Sequence, residues 1–193
     1  MFTDTIIETD RSWLKKGKID DPQLMYDAVI DSIPKLKVRP EIEIFGKICH
    51  QNRNVGFFSD ESIGYKYSNQ LAESIPLTPS LKTMLNLVNE ITKSNFNGIL
   101  VNYYASGTDS IGAHSDDESG LGRNGVVAIS MGTNRKFRIR DKKTKKMVKD
   151  IDLEAGSIIH MGGDFQKEFT HEIPVQKRVL GGRTSFTFRH HTV

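Results

Sequence analysis

Hydrophobic positions in the first half of the chain form two helical stripes. Between residues 21 and 33 the apolar side chains recur at 24, 25, 28, 29 and 33, after Pro22 and before Pro34. The segment 80–91 repeats this spacing at Leu81, Met84, Leu85, Val88 and Ile91. Such spacing places the apolar side chains on one helical face. The pattern predicts two amphipathic helices that pack on a sheet.

From residue 98 onward the pattern changes to short β-prone runs separated by Gly, Asn or Asp. These runs are 97–104, 125–132, 136–141, 147–153, 156–163 and 183–190, with two more at 41–48 and 63–69. Six or more short strands behind two helices are typical of an α+β protein with a β-sandwich or jelly roll. We expect one structural unit, in which residues 1–97 support a β core at 98–193 that carries the functional site.

Composition narrows the class of protein. The chain has 193 residues, which suffices for one domain with a substantial core, and its one cysteine, Cys49, cannot form an internal disulfide. No apolar run reaches the roughly 20 residues that span a bilayer, and the acidic N-terminus lacks the basic start of a signal peptide. We expect an intracellular protein, nuclear or cytoplasmic, and a monomer.

The net charge of +3 is unevenly distributed, because residues 135–149 hold nine Lys or Arg and one acid. This basic segment is either a solvated hairpin or a patch that faces a polyanion, since neutralised phosphates release counterions. The run at 142–146 also resembles a nuclear import signal, but a hairpin tip fits a DNA contact or a solvated surface better.

His114 and Asp116 form the sharpest chemical motif. Residues i and i+2 of a strand point to the same face, so this imidazole and this carboxylate can bind one metal ion. His171 lies 55 residues beyond Asp116 and can complete the two-histidine, one-carboxylate set of non-haem Fe(II) oxygenases. Taken alone, the three residues fit a surface His and Asp on a loop better than a metal site.

The last predicted strand has an unusual polar face. By alternation, that face carries Arg183, Ser185, Thr187 and Arg189. Phe186 and Phe188 lie on the opposite face and favour a core. Two guanidiniums suit a dicarboxylate, and Asn102 and Tyr104 share a face of an earlier strand. This pattern predicts a site for a five-carbon keto diacid beside the metal, unless the polar face simply meets solvent.

These motifs resemble the AlkB family of Fe(II)/2-oxoglutarate-dependent dioxygenases. The matching stretches are NYY at 102–104, HSDDE at 114–118, ISMG at 129–132, KFRIR at 136–140, GSIIHM at 156–161, HEIPV at 171–175 and RTSFTFR at 183–189. The R-x5-R pair in the last stretch is the AlkB-specific element, since an HxD…H triad alone fits many oxygenases. The resemblance implies a double-stranded β-helix (jelly roll) core with supporting N-terminal helices and a nucleotide-recognition lid.

The resemblance also implies an activity and a role for each of these side chains. Fe(II) would be held by the catalytic residues His114, Asp116 and His171. The co-substrate 2-oxoglutarate would be held by Asn102, Tyr104, Arg183, Thr187 and Arg189. With O2, such an enzyme oxidises the N-methyl group of 1-methyladenine or 3-methylcytosine in DNA repair, and the methyl carbon leaves as formaldehyde.

Within the family, the chain is most similar to eukaryotic members that repair double-stranded DNA. The stretch 44–53 resembles a hairpin that enters the base stack while the damaged base is extruded. The stretch 65–69 resembles a lid over that base, and 174–180 resembles a basic loop that grips the duplex. The substrate-binding residues implied in this way are Phe45 as the wedge, Arg53 as a phosphate or backbone contact, and Tyr65, Tyr67, Ser68, Glu118, Lys177 and Arg178.

Some positions and some classes of function remain open. Phe45 could instead be a core aromatic, and Gln176 replaces a basic residue in the duplex-gripping loop. Asn52 and Tyr103 replace an expected proline and arginine, which leaves the substrate range open. An AlkB-type oxygenase acting on RNA, protein or lipid is one alternative, and a non-enzymatic jelly-roll binding module is another. A zinc hydrolase with the same ligands would leave the arginine pair unexplained.

Overall fold

Strands dominate the architecture. The computed structural model describes residues 2–44, 46–62, 64–67, 70–116 and 124–191. The strands are β1 (Phe2–Glu8), β2 (Ser12–Lys18), β3 (Glu41–Ile44), β4 (Lys47–His50), β5 (Asn54–Phe58), β6 (Gly64–Tyr67), β7 (Gln70–Glu73), β8 (Gly98–Tyr104), β9 (Ile111–His114), β10 (Val126–Gly132), β11 (Arg135–Asp141), β12 (Met147–Leu153), β13 (Ser157–Gly163), β14 (Phe169–Ile173) and β15 (Arg183–Arg189). The helices are α1 (Pro22–Ser32), α2 (Pro79–Thr92) and the short α3 (Phe165–Glu168).

Two antiparallel sheets pack face to face as a jelly roll. The large sheet has the order β1-β2-β13-β10-β15-β8-β5, and the small sheet has the order β12-β11-β14-β9. Side chains of both sheets share one core, in which Val126 and Met161 of the large sheet join Phe137 and Ile139 of the small one. The hairpins β3–β4 and β6–β7 are separate two-stranded sheets. The predicted jelly roll is therefore confirmed.

Helices α1 and α2 cover the outer face of the large sheet. Their apolar stripes, including Ala28 and Val88, join a buried cluster with Phe186 and Phe188 of β15. The Thr78 side chain caps α2 by accepting a hydrogen bond from the backbone amide of Leu81 at 3.3 Å. Both helices occupy the segments that the two stripes predict. Among the described residues, no helix is long and apolar enough to cross a membrane.

Strands β1 and β2 were not predicted from the sequence, although they form one edge of the large sheet. The β2 sequence, SWLKKGK, lacks an alternating apolar pattern, and its place depends on pairing with the distant β13. Gly162 makes this pairing possible, because a Cβ atom there would lie 2.0 Å from the Trp13 ring. At the opposite edge, β5 also comes from the first half of the chain. The sheet that carries the site therefore combines strands from 1–97 and 98–193.

Phe186 provides a test of this packing. It is fully buried in β15, between β8 and β10, so Phe186→Ala should lower the free energy of unfolding by about 3–5 kcal/mol. Urea denaturation followed by circular dichroism measures this loss. Leu180→Ala is the control, because Leu180 is 85% exposed and should change stability by no more than about 0.5 kcal/mol. Equal losses in the two variants would contradict the assigned burial.

Candidate active site

Three predicted metal ligands meet between the sheets. His114 ends β9, Asp116 follows two residues later, and His171 lies in β14 directly opposite His114. One ligand atom from each residue lies within 4.8 Å of the other two. Asp116 and His171 are 5% and 6% exposed, so the alternative of a surface His and Asp on a loop is wrong. The arrangement can hold one cation.

The two imidazoles are oriented by their surroundings. His114 Nδ1 lies 2.8 Å from the carbonyl oxygen of Gly112. Because a carbonyl only accepts, Nδ1 carries the proton, and Nε2 keeps its lone pair for a metal. The His171 ring is stacked on Phe137 with 5.0 Å between centroids, and its Nε2 lies 3.5 Å from Asp116 Oδ2. Both Nε2 atoms are thus available as ligands.

The charges in the site also favour cation binding. Burial by itself raises the pKa of Asp116, but the Arg189 guanidinium and the two histidines outweigh it and hold that pKa well below its usual range. Burial, together with the neighbouring His114, lowers the pKa of His171 to about 3. Burial also lowers the pKa of His114. An ionised carboxylate and two neutral imidazoles are the protonation states that ligate a metal.

The polar face of β15 lines the same pocket. All seven residues of this strand are buried, so the alternative of a polar face in solvent is wrong. The lining includes all the residues predicted to hold the keto acid: Asn102, Tyr104, Arg183, Thr187 and Arg189. Alternation along β8 and β15 brings these side chains to one side, as predicted.

The buried guanidinium of Arg183 indicates that this pocket binds an anion. Its Nη2 donates to Ser130 Oγ at 2.7 Å, and its guanidinium lies 5.5 Å from the centre of the Tyr104 ring. Its Nε and Nη1 are buried and have no hydrogen-bond partner among the described residues. Burial lowers the pKa of Arg183 to about 10. Buried donors of a cation require acceptors, and a carboxylate supplies them. The residues therefore fit Fe(II) beside 2-oxoglutarate.

Arg53, predicted to contact the substrate, lies inside the pocket. It is only 6% exposed, lines the pocket, and donates from Nε to Asn102 Oδ1 at 2.7 Å. The side chain of the neighbouring Asn52 is on the outside of the sheet, where it donates to the carbonyl oxygen of Thr108 at 2.8 Å. The Arg53 side chain points the other way, into the pocket. A guanidinium buried in this way does not lie on the protein surface. Arg53 is therefore a pocket residue from the first half of the chain, and its contact with a phosphate or the DNA backbone stays a prediction.

The remaining predicted substrate contacts are placed only in part. Phe45, Ser68 and Glu118 lie outside the described residues, as do the side chains of Tyr65 and Tyr67 on β6. The loop after β14 is described, and Lys177 and Arg178 are exposed there. These assignments therefore stay predictions.

In the basic segment 135–149, the arginines are buried or paired with acids, and four lysines are exposed. Arg135 is fully buried and donates to backbone carbonyls in two loops, with Nη1 to Ser106 at 2.9 Å and Nη2 to Pro174 at 2.9 Å. Arg138 and Arg140 pair with acidic side chains, Asp150 at 2.8 Å and Glu172 at 2.8 Å. The exposed positive charge of the segment is carried by Lys143, Lys145, Lys146 and Lys149.

Gln166 supports the metal site, and sequence reasoning missed it. Its Oε1 accepts a hydrogen bond from the backbone amide of Asp116 at 2.9 Å. The preceding residue is fastened as well, because Ser115 Oγ donates to the carbonyl oxygen of Phe169 at 2.9 Å. Both contacts link the end of β9 to α3 and β14. The sequence carries no signal for them, because the partners are 50 or more residues apart.

Comparisons with known proteins agree with this geometry. Residues 32–189 match the model of the 2OG-Fe(II) oxygenase superfamily. The chain is 32% identical over 158 residues to the mouse protein "DNA oxidative demethylase ALKBH2", an alignment that covers 77% of this chain and 66% of the mouse protein. It is 34% identical over 135 residues to the human "Alpha-ketoglutarate-dependent dioxygenase alkB homolog 3", covering 65% of this chain and 47% of the human one. The chain thus spans less than two thirds of these relatives.

A solved structure agrees on the fold. The structure described as "The structure of OsALKBH1" superposes with a TM-score of 0.61 at 15% identity, over 97% of this chain and 100% of that one. The chain belongs to the 2OG-Fe(II) oxygenase superfamily, whose cofactor and co-substrates are Fe(II), 2-oxoglutarate and O2. Within this class it is an AlkB family member that resembles eukaryotic ALKBH2, which confirms the resemblance seen in the sequence.

The metal assignment can be tested without turnover. Asp116→Asn removes the ionised ligand, so Mn(II) affinity, measured by electron paramagnetic resonance, should fall on the order of 100-fold or more. Asp152→Asn is the matched control, because Asp152 is an exposed aspartate on β12 and should leave the affinity unchanged. Unaltered Mn(II) binding in Asp116→Asn would remove this residue from the ligand set.

Proposed function

We propose that this chain oxidatively removes N-methyl groups from bases in nucleic acid, with DNA as the main substrate, and releases formaldehyde. The observation that carries this proposal is the shared pocket, in which the triad of His114, Asp116 and His171 lies beside Arg183 and Arg189. Similarity to proteins named as DNA oxidative demethylases supports the choice of substrate. A binding module without catalysis would have no physical reason to keep this set of buried charges.

The residues divide the work of the reaction. When bound, Fe(II) with 2-oxoglutarate and O2 supplies the oxidation of the methyl C–H bond, with succinate and CO2 as co-products. Arg183 and Tyr104 bind one end of the keto acid, while Arg189 and Asn102 lie toward the metal ligands. Apolar lining excludes water from the reacting atoms and is contributed by Leu100, Ile111, Ala128, Phe137, Leu153, Met161 and Ile173.

The charges near the metal ligands bear on which bases the enzyme would accept. Asp116 is buried against Arg189, whose Nη2 lies 3.1 Å from its Oδ1, so much of its charge is already compensated. We infer that Glu118, two residues after Asp116 in the sequence, favours the positively charged bases 1-methyladenine and 3-methylcytosine. Tyr65, Tyr67 and Ser68 form the lid over the base in this proposal, because aromatic faces stack on planar bases.

Exposed features outside the pocket support a duplex substrate. The four residues of β4 in the hairpin β3–β4, Lys47 to His50, are exposed, and Phe45 comes just before them in the sequence. We assign Phe45 as the wedge that enters the base stack. Lys177 and Arg178 are exposed and would contact phosphates, as would the lysines at 143–149. The chain would act as a monomer, since this mode of binding needs no second copy.

The central experiment measures formaldehyde released from matched oligonucleotides that carry 1-methyladenine or 3-methylcytosine. Methylated duplex DNA, single-stranded DNA and RNA of one sequence are compared, with and without Fe(II) and 2-oxoglutarate. We expect release that requires both additions and is greatest for the DNA duplex. Release confined to RNA would favour the alternative of an AlkB-type oxygenase acting on RNA. Turnover of 2-oxoglutarate without release from any oligonucleotide would point to a protein substrate.

Phe45→Ala tests the wedge. The loss of an intercalating ring should lower kcat/KM on duplex DNA about tenfold or more, since unstacking costs a few kcal/mol that the ring offsets. Activity on single strands should stay within about twofold. Ile30→Ala, a truncation of a 53% exposed apolar residue on α1, serves as control on both substrates. An equal loss on duplex and single strand would argue against the wedge.

A further inference from the structure

The contact between Arg53 and Asn102 is a buried link between two parts of the pocket. Arg53 Nε and Asn102 Oδ1 are 2.7 Å apart, and each residue is 6% exposed. Arg53 directly precedes β5, the edge strand of the large sheet, and Asn102 lies on the adjacent β8. A hydrogen bond from a guanidinium is charge-assisted, and burial strengthens it. Arg53 therefore has a strong hold on one side of the Asn102 amide.

This hydrogen bond determines which end of the Asn102 amide faces the pocket. A guanidinium has five donors and no acceptor, so the atom of Asn102 that meets it must be the carbonyl oxygen. The Nδ2 group is then directed away from Arg53, and Asn102 is one of the residues that line the pocket. Without Arg53 the amide could rotate by half a turn and present oxygen instead. An oxygen would repel a carboxylate that an N–H group binds.

The segment that carries Arg53 is fixed at the rim of the sandwich. The Asn52 side chain donates to the Thr108 carbonyl at 2.8 Å, and its own carbonyl accepts from the Ser110 amide at 3.1 Å. These bonds join the start of β5 to the loop that leads into β9. Arg53 lines the same pocket as the co-substrate residues of the large sheet and the metal ligand His114 of the small sheet. Its side chain is therefore held in the pocket by the fold.

We propose that Arg53 is a positioning residue for 2-oxoglutarate, which acts by fixing the Asn102 amide so that Nδ2 donates to a carboxylate of the co-substrate. The inference rests on the proposed function, and it deepens that function by adding a residue from the first half of the chain. It differs from the predicted contact between Arg53 and the DNA backbone, and the experiments below distinguish the two roles.

The test measures 2-oxoglutarate binding in the absence of nucleic acid. Isothermal titration calorimetry on the Mn(II)-loaded protein should give a Kd that is roughly tenfold higher for Arg53→Gln, as expected for loss of a charge-assisted hydrogen bond. Arg53→Lys, which keeps the charge, should recover only part of the affinity, because Lys lacks the planar fork. Affinity for Mn(II) itself should stay unchanged, which separates this effect from damage to the metal site.

Lys82→Gln is the control for lost charge. Lys82 lies on α2, its side chain is 63% exposed, and its Nζ is 3.3 Å from Asp60 Oδ2, away from the pocket. It should leave the Kd for 2-oxoglutarate unchanged. An equal rise in Lys82→Gln and Arg53→Gln would show a general effect of charge and would overturn the proposal.

A double-mutant cycle identifies the route of the effect. Because Arg53 acts through Asn102, Arg53→Gln should have little further effect on the Kd once Asn102→Ala is present. Additive losses would show that Arg53 binds the co-substrate directly, which overturns the positioning role. If Asn102→Ala weakens binding while Arg53→Gln does not, only this inference fails. If neither variant affects binding, the proposed co-substrate site itself is wrong.

A last arm compares the two roles that have been assigned to Arg53. If Arg53 contacts DNA phosphates, Arg53→Gln should raise the KM for the oligonucleotide and make that KM less dependent on salt. If Arg53 positions the co-substrate, the same variant should raise the KM for 2-oxoglutarate and leave the salt dependence of the oligonucleotide KM unchanged. The first pattern without the second would overturn the proposal.

Discussion

The buried ion pair of Asp116 and Arg189 is the interaction on which the site depends. Asp116 follows β9 of the small sheet, and Arg189 ends β15 of the large one. Arg189 Nη2 is 3.1 Å from Asp116 Oδ1, and the Asp116 and Arg189 side chains are 5% and 1% exposed. A charge buried between two sheets is tolerated only when it is compensated. The pair therefore links the metal-ligand end of the small sheet directly to the co-substrate strand of the large one.

Several supports converge on this pair from distant parts of the chain. Gln166 holds the backbone of Asp116, and β14 places His171 opposite His114. Arg135 fastens the loops before β9 and after β14 by bonds to their carbonyls. Each contact removes a freedom that the metal ligands would otherwise have. Preorganisation of this kind lets a metal site bind without rebuilding its surroundings.

The local patterns were the part of the structure that the sequence predicted well. The polar face of β15 follows from strict alternation, and His114 and Asp116 share a side because they are two residues apart. Arg53 and Arg135 could not be placed in this way, since an arginine is buried only where distant acceptors meet it. The same reason applies to β2, whose residues match no strand pattern and whose pairing depends on Gly162 leaving room for Trp13. Long-range partners decided these positions.

The lysines near the tip of the β11–β12 hairpin have a further consequence for the free protein. Strand β12 is an edge of the small sheet, and it carries exposed apolar side chains at Met147 and Val148. An open edge with apolar residues invites another copy to add a strand, whereas a row of like charges repels it. Lys145, Lys146 and Lys149 flank these two residues and are exposed. The charge that would attract a polyanion thus also guards the fold against aggregation through its own backbone.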